Sequence, residues 1–272
     1  MTAGGRCLNG KYMSNNANQR FYFGSNFKMH KTLAEVRTFV ESLKQVYEDR
    51  AGLQLFIIPP FTSLGGLQDI IRPQNLWIGA QNMHWANSGP FTGEISAPML
   101  SDLRVDLVLL GHAERRQLFG ETDHEVNKKV LNAINYHLRV LLCVGESAEQ
   151  KFAGITDEVL AMQLKIALLG FPGELLNRLI LAYEPVWAIG EGGREAEPRE
   201  IASSINSIRH TLESRFGQDA PRIPILYGGS VNESNCSDYV QETGVDGLFV
   251  GRAAWQPSDF MKVLQAAISG ST

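Results

Sequence analysis

Short, nearly continuous apolar runs alternate with longer segments in which apolar residues recur every three or four positions. The runs are RFYFGSNFK (20–28), LQLFIIPP (53–60), LWIGAQN (76–82), VDLVLLGH (105–112), RVLLCVGE (139–146), LILAYEPVW (179–187), IPILYGGS (223–230) and VDGLFVGR (245–252). Apolar runs without strict alternation suit parallel strands covered on both faces. Between them the period is helical. In 32–52, Leu33, Val36, Phe39, Val40, Leu43 and Val46 fall on one face, and Gly52 marks the predicted end. A segment opening at Thr122 has Glu125 three residues later, the capping-box spacing, and 198–216 starts on Pro198, suited to a first helical turn. Eight strand-like runs alternating with helices over about 250 residues predict a single-domain α/β fold, a closed (β/α)8 barrel. The open doubly wound sheet is the competing arrangement, but no G-x-G-x-x-G follows the first run.

Residues 1–20 are polar and rich in Gly and Asn, and are expected to be a disordered tail or an added extension, with Met13 as a possible natural start. The barrel is assigned to 21–272. The chain is 44% hydrophobic and carries 25 Lys+Arg against 29 Asp+Glu, a net charge of −4. No basic run points to nucleic acid, and no apolar run reaches the roughly 20 residues that span a bilayer. Three cysteines at wide spacing form neither a disulfide framework nor a zinc pattern, which fits a reducing, cytoplasmic setting.

In a barrel, active groups lie just past the C-terminal ends of the strands. Asn26 and Lys28 end the first run, His112 the fourth and Glu184 the sixth. A base, an electrophile and a cation at one mouth suit proton abstraction beside a carbonyl. Burial of Glu184 would favour its acid form, as a base for a weak carbon acid requires. YGGS after the seventh run and VGR at the end of the eighth occupy positions where barrels commonly bind phosphate, and small residues admit backbone N–H groups close to the anion. Each feature also has an ordinary reading: a solvated Asn26 or Lys28, a helix-capping His112, a solvent-facing Glu184, a plain turn at YGGS. Their coincidence on one barrel face favours chemistry. His30, His84, His124, His137 and His210 form neither H-x-H nor H-E-x-x-H and are read as structural or solvated, so no metal is assigned.

The segments GSNFKMHKT, IPPFT, GAQNMHW, GPFTGEIS, LLGHAERR, FGET, AYEPVWAIG, YGGSVN and DGLFVG resemble, in order, the triosephosphate isomerase family over about residues 21–265. The resemblance implies a cofactor-free isomerase of small phosphorylated sugars. It implies Glu184 as the base that moves a proton between neighbouring carbons, and His112 as a neutral imidazole that polarises the carbonyl. Lys28 and Asn26 would hold the oxyanion, Glu114 would support Lys28 or the site, and backbone groups at Gly190, Ser230 and Gly251 would bind phosphate. PVWAIGEGG would be a lid that closes on the ligand with Glu184 at its hinge. The FTGE loop with Thr92 resembles one that enters a neighbouring subunit, which implies a homodimer.

The chain departs from the family pattern at EGGREAEP after the lid, at Arg252 in VGR, and at Phe27 and His30 in the first motif. With QNMHWA and DGLFVGRAAW, these departures resemble a branch acting on erythrulose phosphates, in which the carbonyl moves between carbons 2 and 3. Triose and four-carbon substrates both stay open, with a lean to the second and with Arg252 added to the phosphate-binding set. A non-catalytic phosphate-binding barrel and a Schiff-base barrel using Lys28 are the other classes.

Overall fold

A computed structural model describes residues 20–189 and 193–269. The assignment of 1–19 as a tail, including Met13, lies outside the described residues. Eight parallel strands close in sequence order, with β8 pairing back onto β1. They are β1 (Phe21–Asn26), β2 (Leu53–Ile58), β3 (Leu76–Ala80), β4 (Leu107–Leu110), β5 (Arg139–Val144), β6 (Leu179–Tyr183), β7 (Ile225–Tyr227) and β8 (Gly247–Val250). The barrel closes as predicted, and the competing open sheet is thereby ruled out.

Around it run α1 (Leu33–Val46), α2 (Phe61–Leu64), α3 (Ala97–Asp102), α4 (Ala113–Phe119), α5 (Asp123–Asn135), α6 (Ala148–Phe152), α7 (Thr156–Ala167), α8 (Pro198–Phe216), α9 (Cys236–Glu242) and α10 (Pro257–Ser269). The caps follow from sequence. Thr122 accepts from the Glu125 N–H while Glu125 reaches back to the Thr122 N–H, closing the predicted box at α5. Pro198 opens α8 as the first-turn rule requires.

The predicted α1 runs too long. It ends at Val46, which is 61% exposed, and the chain turns extended at Tyr47 (φ −110°, ψ 128°). Tertiary packing overrides the helical period there: Tyr47 is buried and its hydroxyl accepts from the Asn75 side-chain amide at 2.6 Å. Gly52, at φ 79°, supplies the turn into β2 instead of a helix stop.

The core has two parts. Phe56, Ile58, Leu107, Leu109, Leu141, Cys143, Ile180, Ala182, Leu226 and Phe249 form one cluster, filling the barrel interior. A larger annulus packs the outer strand faces against the helices; in it Val36, Phe39, Val40 and Leu43 of α1 are buried. Each such side chain stabilises by roughly 1.5–3 kcal/mol. With the interior filled, only the strand ends and their loops are left to build a site.

Candidate active site

A cavity of 460 Å³ opens among the loops that follow the C-terminal strand ends. Asn26, Lys28, His112, Glu114, Glu184, Ser230, Gly251 and Arg252, all proposed from sequence, line it together. Gly190 lies outside the described residues.

Glu184 directly follows β6 and is 3% exposed, so the solvent-facing reading fails. Its Oε1 lies 3.4 Å from Nε2 of His112, and its Oε2 accepts the Ala113 N–H at 3.3 Å, the first amide of α4. The space around it is made by glycines. A Cβ on Gly145 would come within 1.9 Å of the Glu184 carbonyl oxygen, and one on Gly228 within 3.0 Å of its Cγ. Cys143 is a further neighbour. Burial, and then the Glu184 charge, push its thiol well above the ordinary range, so the sulfur stays neutral beside the carboxylate.

His112 is the N-cap of α4, as its helix-capping reading held, and it also faces the cavity. Its Nδ1 accepts the Glu114 N–H at 3.3 Å, which leaves Nε2 as the ring's donor, directed at Glu184. Gly111 precedes it at φ 71°, and Arg116 clips the turn by donating to the Gly111 carbonyl at 2.7 Å, to that of Cys143 at 3.3 Å, and to Asp123. The ends of β4 and β5 are thereby fixed together beneath the imidazole.

Lys28 sits at φ 51°, a left-handed conformation unfavourable for a side chain by roughly 1–2 kcal/mol. It brings Nζ within 2.5 Å of Glu114 Oε1, the partner predicted for it. Strain of this kind concentrates where a loop is shaped for function. Asn26 is buried, and its Oδ1 accepts from the Lys28 N–H at 2.9 Å and from Gln81 at 3.2 Å. With the oxygen occupied by two donors, the amide NH2 is the group left to the cavity.

The side of the cavity expected from sequence to bind phosphate is lined largely by backbone. The N–H groups of Gly228, Val231 and Asn232 are taken by Tyr183, Gly229 and the Asn235 side chain. Among the described residues no acceptor takes the N–H of Ser230. Its hydroxyl donates to the Ala188 carbonyl at 2.7 Å, joining the β7 loop to the segment after Glu184. Arg252 is exposed at the rim. Among the described residues no group of three His, Cys, Asp or Glu side chains is placed to hold a metal ion.

Several supporting residues escaped the sequence reading. Gln81 donates to Asn26, to the Lys28 carbonyl at 2.7 Å and to that of Ile58, locking the β1 loop. Glu146, wholly buried, accepts from the Tyr183 hydroxyl at 3.2 Å and from the Trp187 indole at 2.7 Å, and its carbonyl takes the Val186 N–H. It pins the chain on both sides of Glu184, and burial, followed by the Glu146 charge, raises the Tyr183 phenol well above its usual range. Trp187 lies between Lys151 at 4.4 Å and Arg194 at 4.8 Å from the ring centroid, and both cations pair with Glu200. His30, read as structural or solvated, lines the cavity. GAQN and VGE did carry Gln81 and Glu146 as polar residues at strand ends, but nothing in their spacing named their partners.

A second cavity, of 310 Å³, is lined by Thr92 with His84, Phe91, Arg115, Phe119 and Lys129 among others. Phe91 and Phe119 are 41% and 69% exposed.

The family model described as triosephosphate isomerase matches residues 21–267. A protein of Rhizobium rhizogenes named L-erythrulose-1-phosphate isomerase is 42% identical over 250 residues, covering 91% of this chain and 95% of its own. One from Acetivibrio thermocellus named triosephosphate isomerase is 44% identical over 239 residues, covering 88% and 94%. A second L-erythrulose-1-phosphate isomerase, from Mesorhizobium japonicum, is 41% identical over 251 residues, covering 91% and 97%. Identity therefore divides almost evenly between two named activities.

Proposed function

The chain belongs to the triosephosphate isomerase family and is an isomerase, and on that footing we propose that it interconverts L-erythrulose 1-phosphate and D-erythrulose 4-phosphate by enediolate proton transfer, without a cofactor. The observation that carries the chemistry is the buried Glu184 carboxylate 3.4 Å from His112 Nε2, in one cavity with Lys28 and Asn26.

Glu184 takes the proton from the carbon beside the carbonyl, and the C–H electron pair becomes the enediolate double bond. The His112 Nε2 proton, the Lys28 ammonium and the Asn26 amide receive the negative charge on oxygen. The proton returns from Glu184 to the neighbouring carbon, while His112 exchanges protons between the two oxygens. The substrate phosphate lies at the backbone of Ser230 and Gly251, with Arg252 adding charge at the rim. Closure of the lid over it excludes water from the enediolate.

The four-carbon substrate is favoured by Arg252 and by the EGGREAEP segment. Triosephosphate isomerisation is the alternative, supported by the relatives of that name. One carbon separates the substrates, worth about 1–3 kcal/mol of discrimination in a plain pocket. The test is a side-by-side assay with L-erythrulose 1-phosphate and dihydroxyacetone phosphate, followed by NMR in deuterated water. Faster tetrulose turnover is expected. Preference for the triose would assign the alternative, and no deuterium in either compound would leave a non-catalytic barrel.

A homodimer in the cytoplasm completes the proposal. Among the described residues no helix is long and apolar enough to cross a membrane. Phe91 and Phe119, exposed around the Thr92 cavity, supply apolar surface that a partner subunit would cover. Sedimentation equilibrium is expected to give twice the chain mass, and Phe119→Lys to shift it toward the monomer. A monomeric wild type at micromolar concentration would remove the dimer.

A further inference from the structure

Among the cavity-lining residues with no part in the proton transfers are His30, in the loop after β1, and Trp255, in the turn after β8. Their rings lie 4.4 Å apart, tilted by 43°. Trp255 is anchored by its indole N–H, which donates to the Asn26 carbonyl at 2.9 Å. The ring pair is thus tied to the backbone of the residue whose amide faces the reacting oxygen.

The His30 backbone is held too. Its N–H donates to the Phe27 carbonyl at 3.1 Å, and Lys31 follows in the left-handed region at φ 73°, its ammonium 5.3 Å from the Phe27 ring centroid. Phe27 is itself fully buried, edge-on to Phe39 at 5.0 Å. The two departures from the family pattern in this motif therefore work together: Phe27 anchors the loop from below and His30 stands at the cavity. Among the described residues no group takes either ring nitrogen of His30. An imidazole packed against a fixed ring has a donor and an acceptor to offer at modest entropic cost.

A triose phosphate has its hydroxyl and carbonyl on the two reacting carbons, where Glu184, His112, Lys28 and Asn26 already serve them. A four-carbon ketose phosphate adds a hydroxymethyl group that the reaction leaves unchanged and that none of those residues is needed for. A site built to hydrogen-bond a hydroxyl rejects the analogue lacking it far more strongly than an apolar pocket distinguishes one carbon. We propose that His30, braced by Trp255, is a specificity-determining residue that hydrogen-bonds this terminal hydroxymethyl group. The inference rests on the four-carbon reading above and assigns it a recognition element.

The test measures kcat/KM for L-erythrulose 1-phosphate and for dihydroxyacetone phosphate in wild type, His30→Ala and Trp255→Leu. Wild type that turns over only the triose removes the four-carbon reading and this inference with it. Where wild type turns over the tetrulose, His30→Ala is expected to lower its kcat/KM about tenfold or more beyond any loss for the triose. Trp255→Leu is expected to move the ratio the same way by less, because it frees the imidazole without deleting it. Equal losses for both substrates would place His30 on the shared phosphate, and no loss for either would make it a solvated side chain. Either result overturns the inference while the proposed function stands.

Discussion

Glu184→Gln is expected to lower kcat by about 10²–10⁴-fold, the range that a positioned general base contributes. The substitution keeps the side chain's shape between Gly145 and Gly228, where an added Cβ would already touch the Glu184 backbone or side chain. The amide oxygen still accepts the Ala113 N–H, so the anchor to α4 survives. The ability to take a proton is lost, and with it the acceptor that faces His112 Nε2. No buried charge is created, and the melting temperature is expected to stay within a few degrees of wild type. Glu184→Asp makes a complementary probe. It keeps the base but withdraws it by one methylene, and misplacement by about 1 Å costs on the order of 10² in rate. Deuterium exchange into substrate, read by NMR, reports the proton transfer directly. If Glu184→Gln exchanges within threefold of wild type, another residue is the base.

The barrel, and the candidate groups at its strand ends, were legible because both are written locally. A parallel strand buried on two faces leaves a run of apolar residues, and a capping box leaves Thr122 and Glu125 at fixed spacing. Lys28, His112 and Glu184 end such runs, and barrel closure is enough to bring strand ends together. What escaped is long-range pairing. Glu146 meets Trp187 across 41 residues, Gln81 meets Asn26 across 55, and Trp255 meets Asn26 across 229. Each looks like an ordinary polar or aromatic residue until the fold sets its partner beside it. The end of α1 escaped for the same reason. Val46 continues the helical period, but Tyr47 is claimed by Asn75 on the far side of β2.

Lys129→Ala is expected to destabilise the protein by about 3–5 kcal/mol, the cost of leaving a buried charge without its partner. Lys129 and Glu121 form an ion pair with side chains 5% and 3% exposed. Lys129 also donates to Asn82 at 3.0 Å, tying the segment after β3 to α5. Without it, Glu121 keeps only Arg115 at 3.2 Å, a guanidinium 30% exposed and therefore screened by water. That residual contact places the loss toward the lower end of the range. At about 2–4 °C per kcal/mol, the melting temperature should fall by about 6–20 °C, measured at one protein concentration because a dimer would couple stability to concentration. The double variant Lys129→Met with Glu121→Leu should recover more than half of the loss, since removing both charges also removes their desolvation cost. Full additivity of the two single losses would show that the pair is not coupled. The pair also bears on the site. Glu121 follows α4 at its C-terminal end, and α4 carries His112 at its N-cap and Glu114 in its first turn. Lys129 therefore braces, from behind, the helix that carries His112 and the partner of Lys28. Below its lowered melting point the Lys129→Ala variant should lose far less activity than Glu184→Gln, because the hydrogen bonds of Arg116 to Gly111 and Cys143 still hold the head of that helix. A loss in kcat comparable to that of Glu184→Gln would mean that the brace, and not Arg116, sets the position of His112.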